Sequence, residues 1–322
     1  MSDAAVLIQG ATKRFREKVA VDKLDLEIRT GSLCGFLGPN GAGKTTTIRM
    51  IMSIFYPDSG TLSVLGKNSA VESKDRIGYL PEERGVYRKM KVGPFLNYMG
   101  RLKGLDAHGL DQKVRGWLDR MALGETYKKK CEELSKGMQQ KVQVIAALMH
   151  EPDLIILDEP FSGLDPVNRR LLRSLIEEQH NAGRTVIFST HAMFEAEQLC
   201  DHLFMINRGK KVLDMHVSQV WKQYDPRSLV VMPLDDSPLD EASLALLTGV
   251  EDAKRVTRGF ELKLRDGAQA SQVMQAIAGR FAVRSIELKR PSLEDIFISL
   301  VGGDAAALEG LARAEEEQLV ES

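Results

Sequence analysis

The chain has little cysteine. Cys34, Cys131 and Cys200 are its only three in 322 residues, and their spacing suits neither a disulfide framework nor a zinc site. They read as reduced thiols of a cytosolic protein. No apolar run approaches the ~18 residues that a membrane-spanning helix needs. The opening Met1-Ser2-Asp3-Ala4-Ala5 has no basic segment followed by an apolar one, so no secretory signal is read. Net charge is almost absent as well: 44 Lys and Arg against 45 Asp and Glu leave −1. That removes the electrostatic case for a broad nucleic-acid-binding face. No internal repeat is visible. What remains is an ordinary globular composition, 43% apolar and 28% charged, in a chain long enough for two domains.

Short apolar runs broken by polar turns open the chain. Residues 6–8, 24–28 and 33–37 read as strands. The third run is continuous rather than alternating, the pattern of a strand covered on both faces. It meets Gly38 and then a helix-like stretch over 45–54. Strand, glycine loop and helix in that order open an α/β nucleotide fold. Between about 86 and 150 the apolar period lengthens toward 3.6, as in 95–102 and 114–121, which predicts an inserted helical subdomain. Strands return at 154–157, 185–189 and 202–206, with a helix over 168–180. Tyr224-Asp225-Pro226 reads as a joint. Beyond it the order strand (229–232), helix (240–247), hairpin about Gly259, helix (271–281), strand (283–288), helix (292–300) suits a small α+β split-βαβ sandwich. The expected division is therefore 1–222, 223–302, and an Ala-rich acidic tail over 303–322, frayed or disordered.

Two motifs carry chemistry. Gly38-Pro39-Asn40-Gly41-Ala42-Gly43-Lys44-Thr45 fits the phosphate-binding pattern G-x-x-x-x-G-K-[ST]. Its glycines let successive N–H groups turn inward, and the following helix adds its positive end. Lys44 would reach the β- and γ-phosphates, and the Thr45 hydroxyl would take one Mg²⁺ position. The apolar run 154–157 ends in Asp158-Glu159. Acids there lie at the carboxyl end of a sheet strand, where ligands of such sheets bind. Asp158 is the expected Mg²⁺ partner, and Glu159 could polarise a water for in-line attack on the γ-phosphate. An acid pair after a strand is often nothing more than a strand end; beside the phosphate loop the functional reading prevails.

Further segments complete a resemblance. Leu134-Ser135-Lys136-Gly137-Met138-Gln139-Gln140-Lys141 is similar to the signature sequence of the ATP-binding cassette (ABC) ATPases. Phe161-Ser162-Gly163-Leu164-Asp165 resembles their D-loop, and Ile77-Gly78-Tyr79-Leu80-Pro81-Glu82 their Q-loop. His191 stands at the switch-histidine position, and Phe15 at the aromatic position that stacks on adenine. These motifs run in family order over about 4–222. With the small C-terminal domain they look most like bacterial exporters of the sodium and drug-resistance type, the ABC-2 branch.

The resemblance implies a phosphate-loop NTPase core with an N-terminal antiparallel β part, an inserted helical subdomain and a small α+β C-terminal domain. It implies ATP and Mg²⁺ as ligands. ATP would be held by Phe15, by the loop from Gly38 through Pro39, Asn40, Gly41, Ala42, Gly43, Lys44 and Thr45 to Thr46, and by Glu82, Ser135, Gly137 and Asp165. Mg²⁺ would take Thr45, Glu82 and Asp158, with Glu159 and His191 as the catalytic pair. It also implies a homodimer with two ATP molecules sandwiched head-to-tail, each site completed by the partner's signature. A separate permease would dock near 82–99, placing the chain in the cytoplasm against the inner face of the membrane. No nucleic-acid partner is expected. Two departures stand out: Glu82 replaces the commoner Gln, losing an amide donor and gaining a charge, and Lys136 and Met138 replace the commoner Gly and Gln. Cassette proteins of translation usually carry two cassettes in one chain, whereas there is room for one here. Those of chromosome maintenance separate loop and signature by a long coiled coil, whereas here Gly38 and Leu134 are 96 residues apart. A scaffold without turnover is disfavoured by the Asp158, Glu159 and His191 set. The C-terminal domain either covers apolar surface of the cassette or pairs with its own copy.

Overall fold

The computed structural model describes residues 4–83, 85–224, 228–234, 239–257 and 259–302. The tail from 303 and the Asp225-Pro226 part of the expected joint lie outside them. The chain divides into two compact units: Met1–Val217 with the chain from Phe297 onward, and Ser218–Ile296.

In the first unit, β1 (Ala4–Phe15) and β2 (Lys18–Arg29) form an antiparallel hairpin. There follow β3 (Leu33–Leu37), α1 (Lys44–Ile51), β4 (Ser59–Val64) and β5 (Ile77–Leu80). Three helices come next, α2 (Val92–Leu102), α3 (Leu110–Arg120) and α4 (Lys136–Leu148). The chain then returns to β6 (Leu154–Asp158), α5 (Pro166–Asn181), β7 (Thr185–Thr190), α6 (Met193–Leu199), β8 (His202–Asn207) and β9 (Lys210–His216). Two sheets result. One is antiparallel, in the order β2-β1-β4; the other has the order β5-β6-β7-β3-β8-β9 and is parallel except for β9.

Every residue of β3, β6 and β7 is buried, as the apolar stretches that form their centres require of strands covered on both faces. A single core joins the two sheets: Val6, Ile8 and Leu26 from the antiparallel one meet Phe36, Ile156, Ile187 and Phe204 from the parallel one, with Ile48 and Ile51 of α1. The Phe36 and Phe204 rings stack with centroids 4.5 Å apart. In the sheet order, β7 lies between β6 and β3, so the carboxyl ends of these three strands are neighbours. That arrangement locates the site.

Two helix ends differ from the sequence reading for local reasons. Helix α1 stops at Ile51, because Ser53 takes a left-handed φ of 55° and the amides of Ile54 and Phe55 both return to Arg49 O. Helix α5 begins at Pro166, two residues early. Asp165 caps it, accepting from the Val167 and Asn168 amides at 3.0 and 2.9 Å, and proline suits the first helical position. Helix α4 lies against β5 at Gly78, where any Cβ would come 2.2 Å from Ala147 O. Beside it, Lys103 Nζ donates to Lys74 O and Ile77 O, and His150 Nε2 sits 3.2 Å from Ile77 O. Burial pushes the His150 imidazole down to about 4.

The second unit begins within α7 (Val217–Gln223) and continues through β10 (Ser228–Pro233), α8 (Glu241–Ala245), β11 (Val250–Val256), β12 (Gly259–Leu264), α9 (Ala270–Arg280), β13 (Val283–Lys289) and α10 (Leu293–Leu300), which crosses its end. Its sheet has the order β11-β12-β10-β13 with every neighbouring pair antiparallel. Leu229, Val231, Phe260 and Leu262 of the strands pack on Leu244 of α8 and Ile277 of α9. Asp240, expected inside a helix, instead caps it and accepts from Ser243 N at 2.7 Å. Among the described residues no helix is long and apolar enough to cross a membrane.

Candidate active site

The loop between β3 and α1 can be built only with glycine at two points. A Cβ on Gly38 would lie 2.2 Å from Ile206 O, and one on Gly43 2.7 Å from Ala20 O, while both residues have positive φ (150° and 113°). The loop therefore wraps closely under β8 and the first hairpin, and α1 begins directly behind it at Lys44. The first N–H groups of a helix have no intrahelical acceptor, so this end presents donors and the positive pole of the dipole. Lys44 is buried among them. Its Nζ donates to Gly38 O at 2.6 Å and Pro39 O at 3.4 Å, and lies 3.6 Å from Glu159 Oε1. Burial lowers the Lys44 pKa; the charges of Glu159 and Asp158 oppose that shift.

Asp158, at the end of β6, is 1% exposed. Its Oδ1 accepts from the Ser189 hydroxyl and lies 3.5 Å from Thr45 Oγ1. Its Oδ2 is buried and has no hydrogen-bond partner among the described residues. Burial, the largest influence, raises the Asp158 pKa; the Ser189 hydroxyl opposes it, and the Glu82 and Glu159 charges reinforce it. A buried, unpartnered carboxylate oxygen beside a hydroxyl is a hard-oxygen donor set and fits a divalent cation.

Glu159 has a left-handed φ of 49°, uncommon for a residue with a side chain. Its amide is held by β7, donating to Ser189 O at 3.2 Å and Ser189 Oγ at 3.1 Å. The turn sends the carboxylate between two cations or potential cations: Oε1 faces Lys44 Nζ, and Oε2 lies 3.0 Å from His191 Nδ1. Phe15 sits at the end of β1, 41% exposed as a residue, its ring supported on edge by Phe55 with centroids 5.2 Å apart. One cavity of about 360 Å³ is lined by Phe15, Lys18, Ala20, the loop residues 39–46, Glu82 and Glu159.

The structure thus gathers Phe15, the glycine loop, Lys44, Thr45, Thr46, Glu82, Asp158, Glu159 and His191 into one neighbourhood. Ser135, Gly137 and Asp165 do not line that cavity. Ser135 caps α4, its hydroxyl accepting from Met138 N at 3.3 Å. A Cβ on Gly137 would meet nothing closer than Leu164 Cδ2 at 3.7 Å, so its own chain does not demand glycine there. Asp165 serves as the α5 cap. Ser189 was not singled out from sequence, yet it touches both acids. Its signal was the polar end of the apolar run 185–189, opposite Asp158 in the sheet register. Lys18 and Ala20, also unread, enter the cavity wall through the hairpin.

A cradle of amides with a buried ammonium, one dry acid and one acid set between that ammonium and an imidazole suits a polyphosphate and its hydrolysis. Comparison with known proteins agrees. Residues 21–162 match the family described as "ABC transporter", and residues 216–301 the family "ATP-binding protein DrrA1-3-like, C-terminal domain". The uncharacterized ABC transporter ATP-binding protein YhaQ of Bacillus subtilis is 39% identical over 92% of this chain and 98% of its own. The daunorubicin resistance ATP-binding protein DrrA3 of Streptomyces coeruleorubidus is 30% identical over 94% of this chain and 98% of its own. A solved structure of an "ATP binding subunit of ABC transporter" superposes with a TM-score of 0.64 at 25% identity, covering 68% of this chain and 93% of that one. A nucleotide cradle built in this way, in a chain related to YhaQ over nearly its whole length, belongs to the ABC transporter family and to its ATP-binding ATPase subunits.

Proposed function

We propose that this ATPase powers export by a separate membrane permease, and that two copies close head-to-tail over two ATP molecules at the cytoplasmic face of the membrane. The observation that carries the reading is the split between the residues gathered about Glu159 and those held elsewhere in the chain. Glu159 lies between Lys44 and His191, and Asp158 beside Thr45, whereas Ser135 is taken up as the α4 cap and, with Gly137, does not line the cavity. A second copy related by a two-fold axis would bring its own Ser135, Gly137 and helix N-terminus to the γ-phosphate, and its Asp165 to the seam between the copies. The family similarity to an antibiotic-resistance subunit favours outward transport.

In this reading Phe15 stacks on adenine and the loop from Gly38 to Thr46 holds the phosphates. Thr45, Asp158 and Glu82 would hold Mg²⁺, whose role is to neutralise charge on the phosphate oxygens. Glu159 takes a proton from the attacking water, and His191, 3.0 Å from that carboxylate, orients it and contacts the γ-phosphate. The permease docks beside Glu82 and α2, where Tyr87, Tyr98 and Leu102 are exposed.

Glu159→Gln tests the arrangement. It keeps the side-chain shape and removes the base, so light scattering with MgATP should show a stable dimer, and adding Ser135→Ala should return it to monomer. A Glu159→Gln chain that stays monomeric at saturating MgATP refutes the head-to-tail sandwich. Co-purification with a membrane protein from its own cell, rather than with ribosomes or DNA, tests the transport assignment.

A further inference from the structure

We infer that Gln140 is a positioning residue for hydrolysis: its carboxamide ties helix α4, whose first turn carries Ser135 and Gly137, to the backbone turn that aims Glu159. The inference rests on the proposed role of Glu159 as base.

Gln140 is only 7% exposed, and its Nε2 donates to Pro160 O at 2.5 Å. Pro160 directly follows Glu159, whose left-handed φ makes the turn depend on outside support. That support comes from two sides. On one, Ser189 of β7 holds the Glu159 amide. On the other, Gln140 holds the next carbonyl. The flanking side chains of α4 point elsewhere: Gln139 Nε2 donates to Cys131 O and Leu134 O, and Lys141 Nζ to Met121 O, each at 3.1 Å. These bonds fix the start of α4 to the loop before it, leaving Gln140 as its direct bond to the acid's turn.

A purely structural role accounts poorly for this residue. Gln140 Oε1 is buried without a partner among the described residues, an arrangement that costs stability. Methionine would fill nearly the same volume without the unpaired Oε1, at the loss of this one donor to Pro160 O. The amide stands at a site of apolar burial, and what it adds there is a donor to Pro160 O. The signature end of α4 and the hydrolytic acid of the same chain are thereby mechanically joined. In a head-to-tail dimer, engagement of one chain's signature would register at that chain's own Glu159.

The test uses the full chain carrying Gln140→Met, Gln140→Glu or, as reference, Glu159→Gln. Gln140→Met should lower kcat by about 10-fold to 100-fold, the scale of a misplaced catalytic group, with KM for ATP within about two-fold and a Tm close to the parent's, because one unpaired group replaces another. Gln140→Glu cannot donate while ionised. Its deficit should be as large at about pH 8 and shrink toward about pH 6, where a buried carboxyl becomes protonated and its O–H can donate a hydrogen bond to Pro160 O. Retention of parental kcat by Gln140→Met, beside an inactive Glu159→Gln, overturns the inference and leaves the base assignment standing. Parallel loss of kcat and Tm in Gln140→Met overturns it too, as does a Gln140→Glu deficit that ignores pH. Parental turnover by Glu159→Gln removes the base assignment itself, and this inference with it.

Discussion

Asp158→Asn should make the protein more stable without nucleotide and less stable with it. The carboxylate is 1% exposed and has one oxygen satisfied by Ser189, while the other has no partner among the described residues. The nearby acids Glu82 and Glu159 add repulsion, which the Ser189 hydroxyl and, more weakly, Lys44 oppose. Leaving a buried acceptor unsatisfied costs about 1–3 kcal/mol, with charged groups at the upper end. Asparagine keeps the Oδ1 acceptor for the Ser189 hydroxyl and removes the charge. Its new Nδ2 donors remain unpaired, so the net gain should fall near the lower end, about 1 kcal/mol. In a unit of more than 200 residues that is a rise of roughly 2–4 °C in Tm.

With MgATP the order reverses. A ligand at 100 times its Kd stabilises the parent by about 2.7 kcal/mol, and a variant that has lost a cation ligand forfeits most of this. Differential scanning calorimetry in EDTA and in saturating MgATP reads both arms. A lower Tm for Asp158→Asn in EDTA would show that something compensates the carboxylate in the free protein, and the cation-site argument would fail. An unchanged MgATP response would refute the assignment of Asp158 to the metal.

Glu159→Gln should lower phosphate release at saturating MgATP by about 10²-fold or more, the scale of losing a general base, and near-parental release excludes that role. Glu82→Gln should raise the Mg²⁺ concentration for half-maximal turnover, because a carboxylate is the better ligand for a hard cation; an unchanged Mg²⁺ midpoint with a lower KM for ATP would place Glu82 toward the phosphate instead. His150 takes its proton at about 4 when folded and near 6.5 when unfolded, so the native state loses stability as pH falls through that window. His150→Gln, which keeps a donor for Ile77 O, should flatten that loss by about 2 kcal/mol in urea titrations between these limits; an unaltered slope refutes it. Truncation near Tyr224 should preserve ATP binding and weaken nucleotide-free dimers if the second unit pairs with its copy, and equal scattering masses of the truncated and full chains refute such tethering.

The parts of this molecule that were legible in its sequence are those whose physics is local. Residues 33–37 announce a doubly covered strand, because a sheet buried on both faces needs continuous apolar sequence. The loop from Gly38 to Thr45 announces itself because backbone curling and amide presentation both depend on residues close in sequence. Strand β9 was invisible for the converse reason. Lys210–His216 carries lysines, an aspartate and a histidine, and it becomes a strand through antiparallel pairing along β8 rather than through any pattern of its own. The end of α1 depended on a left-handed serine, and the start of α5 on Asp165 capping it ahead of Pro166.

The same distinction runs through the site. Each motif could be placed at a strand end from sequence, but the lateral order of those strands could not, since it depends on crossovers such as α5 between β6 and β7 and α6 between β7 and β8. The order decides the chemistry. Because β7 separates β6 from β3, its carboxyl end lies between the acid pair and the phosphate loop, and its Ser189 is 31 and 30 positions along the chain from the two acids it touches. Ser189 can therefore hold Asp158 through its hydroxyl and the Glu159 amide through its carbonyl, while His191, two residues on, reaches the Glu159 carboxylate. Exchange β7 with β8 in that sheet, and every motif would remain intact in sequence while the acids lost the strand that aims them.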